Sequence, residues 1–81
     1  MTVEVLWFAS LADKTGTRRE DVEVEGVKDI EGLWDLLASR HPALRTIGMR
    51  PVAACDGRRV AWSESLEGVR EVAFLPPVSG G

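Results

Sequence analysis

The sequence predicts an α+β fold, a mixed sheet of about five strands covered by one main helix. Three observations carry that expectation. Near the start, Val3, Val5 and Trp7 alternate with Glu4, Leu6 and Phe8, and near the end Val72 and Phe74 alternate with Ala73 and Leu75, the two-residue period of half-buried strands. Between them, Ile30, Leu33, Trp34 and Leu37 recur at the i, i+3, i+4, i+7 spacing of an amphipathic helix. Asp56-Gly57 separates two short apolar runs and signals a two-residue hairpin turn.

Composition bounds the answer. A chain of 81 residues has room for one core, and a hydrophobic content of 44% is enough to build it. The net charge of −3 argues against a nucleic-acid binder, which is normally basic. Apolar runs extend only a few residues, too short to span a membrane. The opening Met1-Thr2-Val3-Glu4-Val5 lacks the charged and apolar blocks of a signal peptide. A single cysteine cannot form an internal disulfide, which fits a reducing compartment. The expectation is a soluble, cytoplasmic, single-domain protein.

Taken in order, residues 2–9 read as a first strand, with the Glu4 face outward and Leu6 and Phe8 partly exposed. Residues 10–19, with Asp13, Lys14 and Gly16, read as a polar connection with turn character. Residues 20–25 alternate acids with Val22 and Val24 as a second strand, which Gly26 ends. Asp29 is a helix N-cap, its carboxylate placed to accept from free amides of the first turn. Gly32 costs the helix about 1 kcal/mol relative to alanine, so close packing is a reason for its presence. His41-Pro42 ends the helix, because a residue preceding proline avoids helical torsions. Residues 43–50 form a loop with room for one helical turn. Residues 51–55 and 58–62 are the hairpin strands, and Leu66 anchors the polar stretch 63–70 in the core. Residues 71–75 form the last strand, which pairs with the first.

Few residues offer chemistry of their own. Cys55 lies in an apolar strand, where a lone cysteine behaves as a small buried hydrophobe. His41, at a helix C-terminus, suits the helix dipole as a cation and has no clustered metal-ligating partners in sequence. Phosphate loops, dinucleotide fingerprints and nucleophile elbows do not occur. The carboxylates line turns or alternate with valines, the pattern of solvated faces.

Two features rise above that background. If the last strand lies beside the first, then Leu6, Phe8, Ala73 and Leu75 form an exposed apolar patch of the kind a partner covers. Beyond it, Pro76 and Pro77 stop the strand, and Val78, Ser79, Gly80 and Gly81 follow. Six residues from Pro76 reach roughly 20 Å if extended. Glycines without Cβ let a terminal carboxylate enter a narrow channel. Residues 1–75 are therefore read as the domain and residues 76–81 as an extended tail.

The string Phe74-Leu75-Pro76-Pro77-Val78-Ser79-Gly80-Gly81 resembles the C-terminus of the small subunits of molybdopterin synthases, ubiquitin-like sulfur carriers of β-grasp fold. The similarity continues through Val5-Leu6-Trp7-Phe8-Ala9, Gly16, the helix from Ile30 to Leu37, Val52-Ala53-Ala54 and Leu66. Only the tail string is highly specific. The family often has Asn where Asp56 stands, and a Gly-Asp turn where this chain has Val69-Arg70, departures that bear on partner fit more than on sulfur chemistry.

The resemblance implies a carrier without stand-alone activity. An E1-like adenylating enzyme would activate the Gly81 carboxylate with ATP, and a sulfur donor enzyme would convert it to a thiocarboxylate (1-thioglycine). Gly80, Ser79 and Val78 would thread the channel of the large catalytic subunit. Leu6, Phe8, Ala73, Leu75, Pro76 and Pro77 would dock partners. Sulfur would pass to cyclic pyranopterin monophosphate to build the dithiolene of molybdenum cofactor biosynthesis, within a heterotetramer of two small and two large subunits. No metal or bound cofactor is implied for the carrier itself. The alternatives are a sulfur carrier for another pathway such as thiamine synthesis, a ubiquitin-like protein modifier, and a binding module with an inert tail.

Overall fold

Val3, Val5 and Trp7 turn to one side of the first strand, and that side becomes the floor of the core. The computed structural model describes residues 1–77. Its elements run β1 (Thr2–Trp7), α1 (Ser10–Thr15), β2 (Arg19–Glu23), α2 (Ile30–Arg40), a 3₁₀ turn (Pro42–Thr46), β3 (Val52–Cys55), β4 (Arg58–Val60) and β5 (Glu71–Leu75). The strands form one sheet in the order β2-β1-β5-β3-β4. β1 and β5 are parallel, in a register that sets Leu6 against Ala73 and Trp7 against Phe74. The other three pairings are antiparallel. Residues near the two ends of the described chain thus meet in the middle of the sheet.

α2 lies over the inner face and buries Ile30, Leu33, Leu37 and Ala38 against Val3, Val5, Val22, Val72 and Phe74. Each fully buried aliphatic or aromatic side chain of this kind contributes about 1.5–3 kcal/mol through loss of apolar contact with water. The Asp29 cap forms as the sequence predicts, with Gly32 N donating to Asp29 Oδ1 at 2.9 Å. A Cβ on Gly32 would stand 3.3 Å from Val27 Cγ1, the close packing expected there. Leu66 is buried, and its N–H donates to the Lys28 carbonyl at 3.0 Å.

Residues 10–19 depart from the expected connection, because Ser10–Thr15 is helical. Leu11 anchors this short helix in the core, and left-handed Gly16 closes it by donating to the Ala12 carbonyl at 2.9 Å. With a single buried side chain, the helix has too little period to stand out in sequence. The return strand of the hairpin is also shorter than residues 58–62. It ends at Val60, and the Trp62 indole N–H instead donates to the Pro51 carbonyl at 2.9 Å.

Among the described residues, two non-glycine residues have positive φ, Ala9 at 51° and Asp56 at 50°. Asp56 and Gly57 (φ 84°) form the hairpin turn. Asp56 Oδ1 accepts from the amides of Arg70 (3.2 Å) and Glu71 (3.0 Å), tying the turn to the start of β5. Ala9, at φ 51° and ψ −128°, precedes α1 without a side-chain cap. Torsions of this kind cost a residue with a side chain on the order of 1–3 kcal/mol.

Candidate functional site

Alternation along β5 puts Val72 and Phe74 into the core and leaves Ala73 and Leu75 on the side away from α2. The sheet register then assembles an apolar band. Leu6 stands against Ala73, Ala73 against Ala54, and Leu75 against Val52. Phe8 joins the band at the end of β1, where its N–H donates to the Phe74 carbonyl at 3.2 Å. Arg19 opposite Leu6 and Arg59 opposite Ala54 flank the same row. Arg19 is committed to an ion pair with Glu4 on the neighbouring strand.

The residues expected in the patch do come together, with one correction. Phe8 is 43% exposed, and Leu6 and Leu75 are half-buried. Ala73 is only 7% exposed, since its short side chain is flanked by Leu6 and Ala54 on both adjoining strands. It forms a floor to the patch and offers little area of its own.

Pro76 and Pro77 leave the end of β5 half-buried and line a small cleft with Leu11, Ile47, Met49 and Pro51. Met49, 63% exposed, was not singled out from sequence, because nothing local distinguishes it within the loop 43–50. A second, wider groove runs from Pro77 past Val52, Arg59 and Trp62. The base of the tail thus sits beside the apolar band at one end of the sheet. Val78, Ser79, Gly80 and Gly81 lie outside the described residues.

The remaining candidates have structural surroundings. Cys55 is buried, and desolvation, with lesser help from the charges of Glu64 and Asp56, pushes its thiol above the ordinary value. His41 Nε2 lies 2.8 Å from Glu20 Oε2, and the same oxygen accepts the Trp7 indole N–H at 2.9 Å. Glu20 therefore departs from the solvated role expected of the strand carboxylates. It pairs with Val5 on the core-facing side, at the rim where the end of α2 reaches it. Among the described residues, no three His, Cys, Asp or Glu side chains converge to hold a metal ion. No helix there is long and apolar enough to cross a membrane.

Comparison with known proteins agrees with this architecture. The molybdopterin synthase sulfur carrier subunit of Homo sapiens is 35% identical over 83 aligned residues, covering 98% of this chain and 93% of that protein. The subunit of the same name from Mycobacterium tuberculosis is 36% identical, covering 98% and 96%. The crystal structure of SAMP1 from Haloferax volcanii superposes with a TM-score of 0.82 at 30% identity, each chain covered completely. The fold is a ubiquitin-like β-grasp. The family model described as the ThiS family matches residues 5–81, and the chain belongs to that family.

Proposed function

We propose that the chain is the sulfur carrier subunit of a molybdopterin synthase. The observation that carries this reading is the convergence of the Leu6, Phe8 and Leu75 band with the root of the tail at Pro76-Pro77. One docking event can then seat the patch and direct the tail. The two curated sulfur carriers similar along nearly the whole chain support the reading.

In this reading the reacting group is the Gly81 carboxylate. A carboxylate resists nucleophiles, because the negative charge shared by its two oxygens repels them and neither oxygen can leave as oxide. An E1-like partner consuming ATP overcomes this: a carboxylate oxygen attacks the α-phosphorus, pyrophosphate leaves, and the acyl-adenylate carries AMP as a good leaving group. A sulfur donor enzyme supplies the nucleophile that displaces AMP, giving the thiocarboxylate. Within the large catalytic subunit, the thiocarboxylate sulfur bonds to cyclic pyranopterin monophosphate, and water then cleaves the acyl–sulfur bond, leaving the sulfur on the pterin and restoring the carboxylate. Val78, Ser79 and Gly80 thread the channel, while Leu6, Phe8, Leu75, Pro76 and Pro77 dock, with Ala73 beneath them. Acid and base groups come from the partners, so the carrier acts without a catalytic centre, metal or bound cofactor of its own.

The test is the intact mass after incubation with the adenylating enzyme, ATP and a sulfur source. Replacement of one oxygen by sulfur, localised to Gly81, is expected. An unmodified Gly81 under those conditions rejects the reading. The likeness to SAMP1, by name a small archaeal modifier protein, favours a second reading as a protein modifier. That reading requires a ladder of lysine conjugates on immunoblots of cell extract, which a dedicated carrier does not produce.

A further inference from the structure

Ala9 carries a strain that the fold does not use. Its torsions, φ 51° and ψ −128°, are open to glycine and unfavourable for any L side chain. Asp56, the other non-glycine residue at positive φ among the described residues, differs on both counts. Aspartate tolerates left-handed torsions, and its carboxylate accepts two backbone amides. A methyl group accepts nothing, and Ala9 is exposed, so it adds nothing to the core. Glycine would make the same turn free of strain.

The turn holds its neighbour firmly. Phe8 N donates to the Phe74 carbonyl at 3.2 Å, and Phe8 O accepts from Leu11 N at 3.1 Å. The backbone on either side of the Phe8 side chain is therefore tied to β5 and α1, while the ring stays 43% exposed. Beside it opens a cleft of about 360 Å³, lined by Leu6, Phe8, Ala9 and Ala12, with Asp13 and Arg18 also on its walls. Leu6 and Phe8 belong both to this cleft and to the apolar band, so the two surfaces are continuous.

We propose that Ala9 is a specificity-determining contact residue, its methyl group forming part of an apolar seat beside Phe8 for one hydrophobic side chain of the large subunit. The benefit of the methyl group then lies across the interface, which is where a strain unrewarded within the fold finds its return. Phe8 is the projecting half of the contact and the cleft is the receiving half. The inference rests on the sulfur-carrier reading, which supplies the partner.

The test compares wild type, Ala9→Gly and Phe8→Ala, measuring calorimetric affinity for the cognate large subunit and the urea midpoint of each carrier alone. Ala9→Gly is expected to raise the urea midpoint while weakening the affinity about fivefold or more. These are opposite signs, whereas a merely structural role would move stability and leave affinity unchanged. Ala9→Gly binding as tightly as wild type, while Phe8→Ala binds weakly, overturns the proposal and spares the carrier reading. A wild-type chain that does not bind the large subunit overturns both.

Discussion

Glu20 shows how much one oxygen can organise. Oε2 receives the Trp7 indole N–H and also meets His41, so one carboxylate links β2, β1 and the end of α2. Glu20→Leu leaves the buried indole N–H without an acceptor and is expected to cost about 1–3 kcal/mol in urea denaturation. Glu20→Gln, whose amide oxygen still accepts, is expected to cost less, and equal losses would rule out the hydrogen bond as the cause. Neither contact was legible in sequence, because the partners lie 13 and 21 positions away: alternation puts Glu20 on the face of Val22, and only the fold brings Trp7 and His41 to that face. Cys55 was legible, since apolar neighbours in a short strand already imply burial. Its raised pKa fixes a pH effect: the folded state favours the neutral thiol, so its contribution is complete below the ordinary thiol range. That contribution is lost as pH rises through the raised folded value, because the unfolded chain ionises first. A thiol-specific reagent at mildly alkaline pH is therefore expected to leave the native protein unmodified and to label Cys55 fully in denaturant. Rapid labelling of the native protein would contradict the burial.

At the scale of elements, the turns divide by how local their causes are. The Asp29 cap needs only residues 29–32, and the Asp56-Gly57 turn only two positions, so both could be read from sequence. α1 could not, because tertiary burial of Leu11 stabilises it more than any repeating pattern does. Gly16 after Thr15 was the available signal of its end. Replacing Gly57, at φ 84°, by alanine is expected to cost about 1–2 kcal/mol by thermal denaturation, from left-handed strain alone. Asp56→Ala has a different signature. It frees the amides of Arg70 and Glu71, so hydrogen exchange should speed up at those two positions while the interior of β5 remains protected. Uniform acceleration along β5 would show that the turn supports the whole strand. The apolar patch occupies a middle ground: the alternation of β1 and β5 was visible, but the low exposure of Ala73 depended on Ala54 from β3, whose place beside β5 the sequence left unassigned.

For the whole molecule, the decisive pairing is β1 with β5, which joins Glu4 to Glu71. A contact so distant along the chain forms only after a long loop closes, so it binds the sheet into one cooperative unit. Phe74 sits at the junction, with ring centroids 5.4 Å from Trp7, 5.1 Å from Trp34 and 5.9 Å from Trp62. Tryptophan fluorescence and far-ultraviolet circular dichroism are therefore expected to report one coincident unfolding transition, and separated midpoints would refute that cooperativity. The central parallel pair also has a mechanical meaning. A pull on residues after Pro77, opposed at Met1, runs along β1 and β5 in opposite senses and loads their hydrogen bonds in shear, all at once. β5 is further gripped by β3 on its other side. Force applied to the chain beyond Pro77 would thus meet a strand hydrogen-bonded on both sides at the centre of the sheet, and the handle could be tugged without unravelling the body to which it is attached.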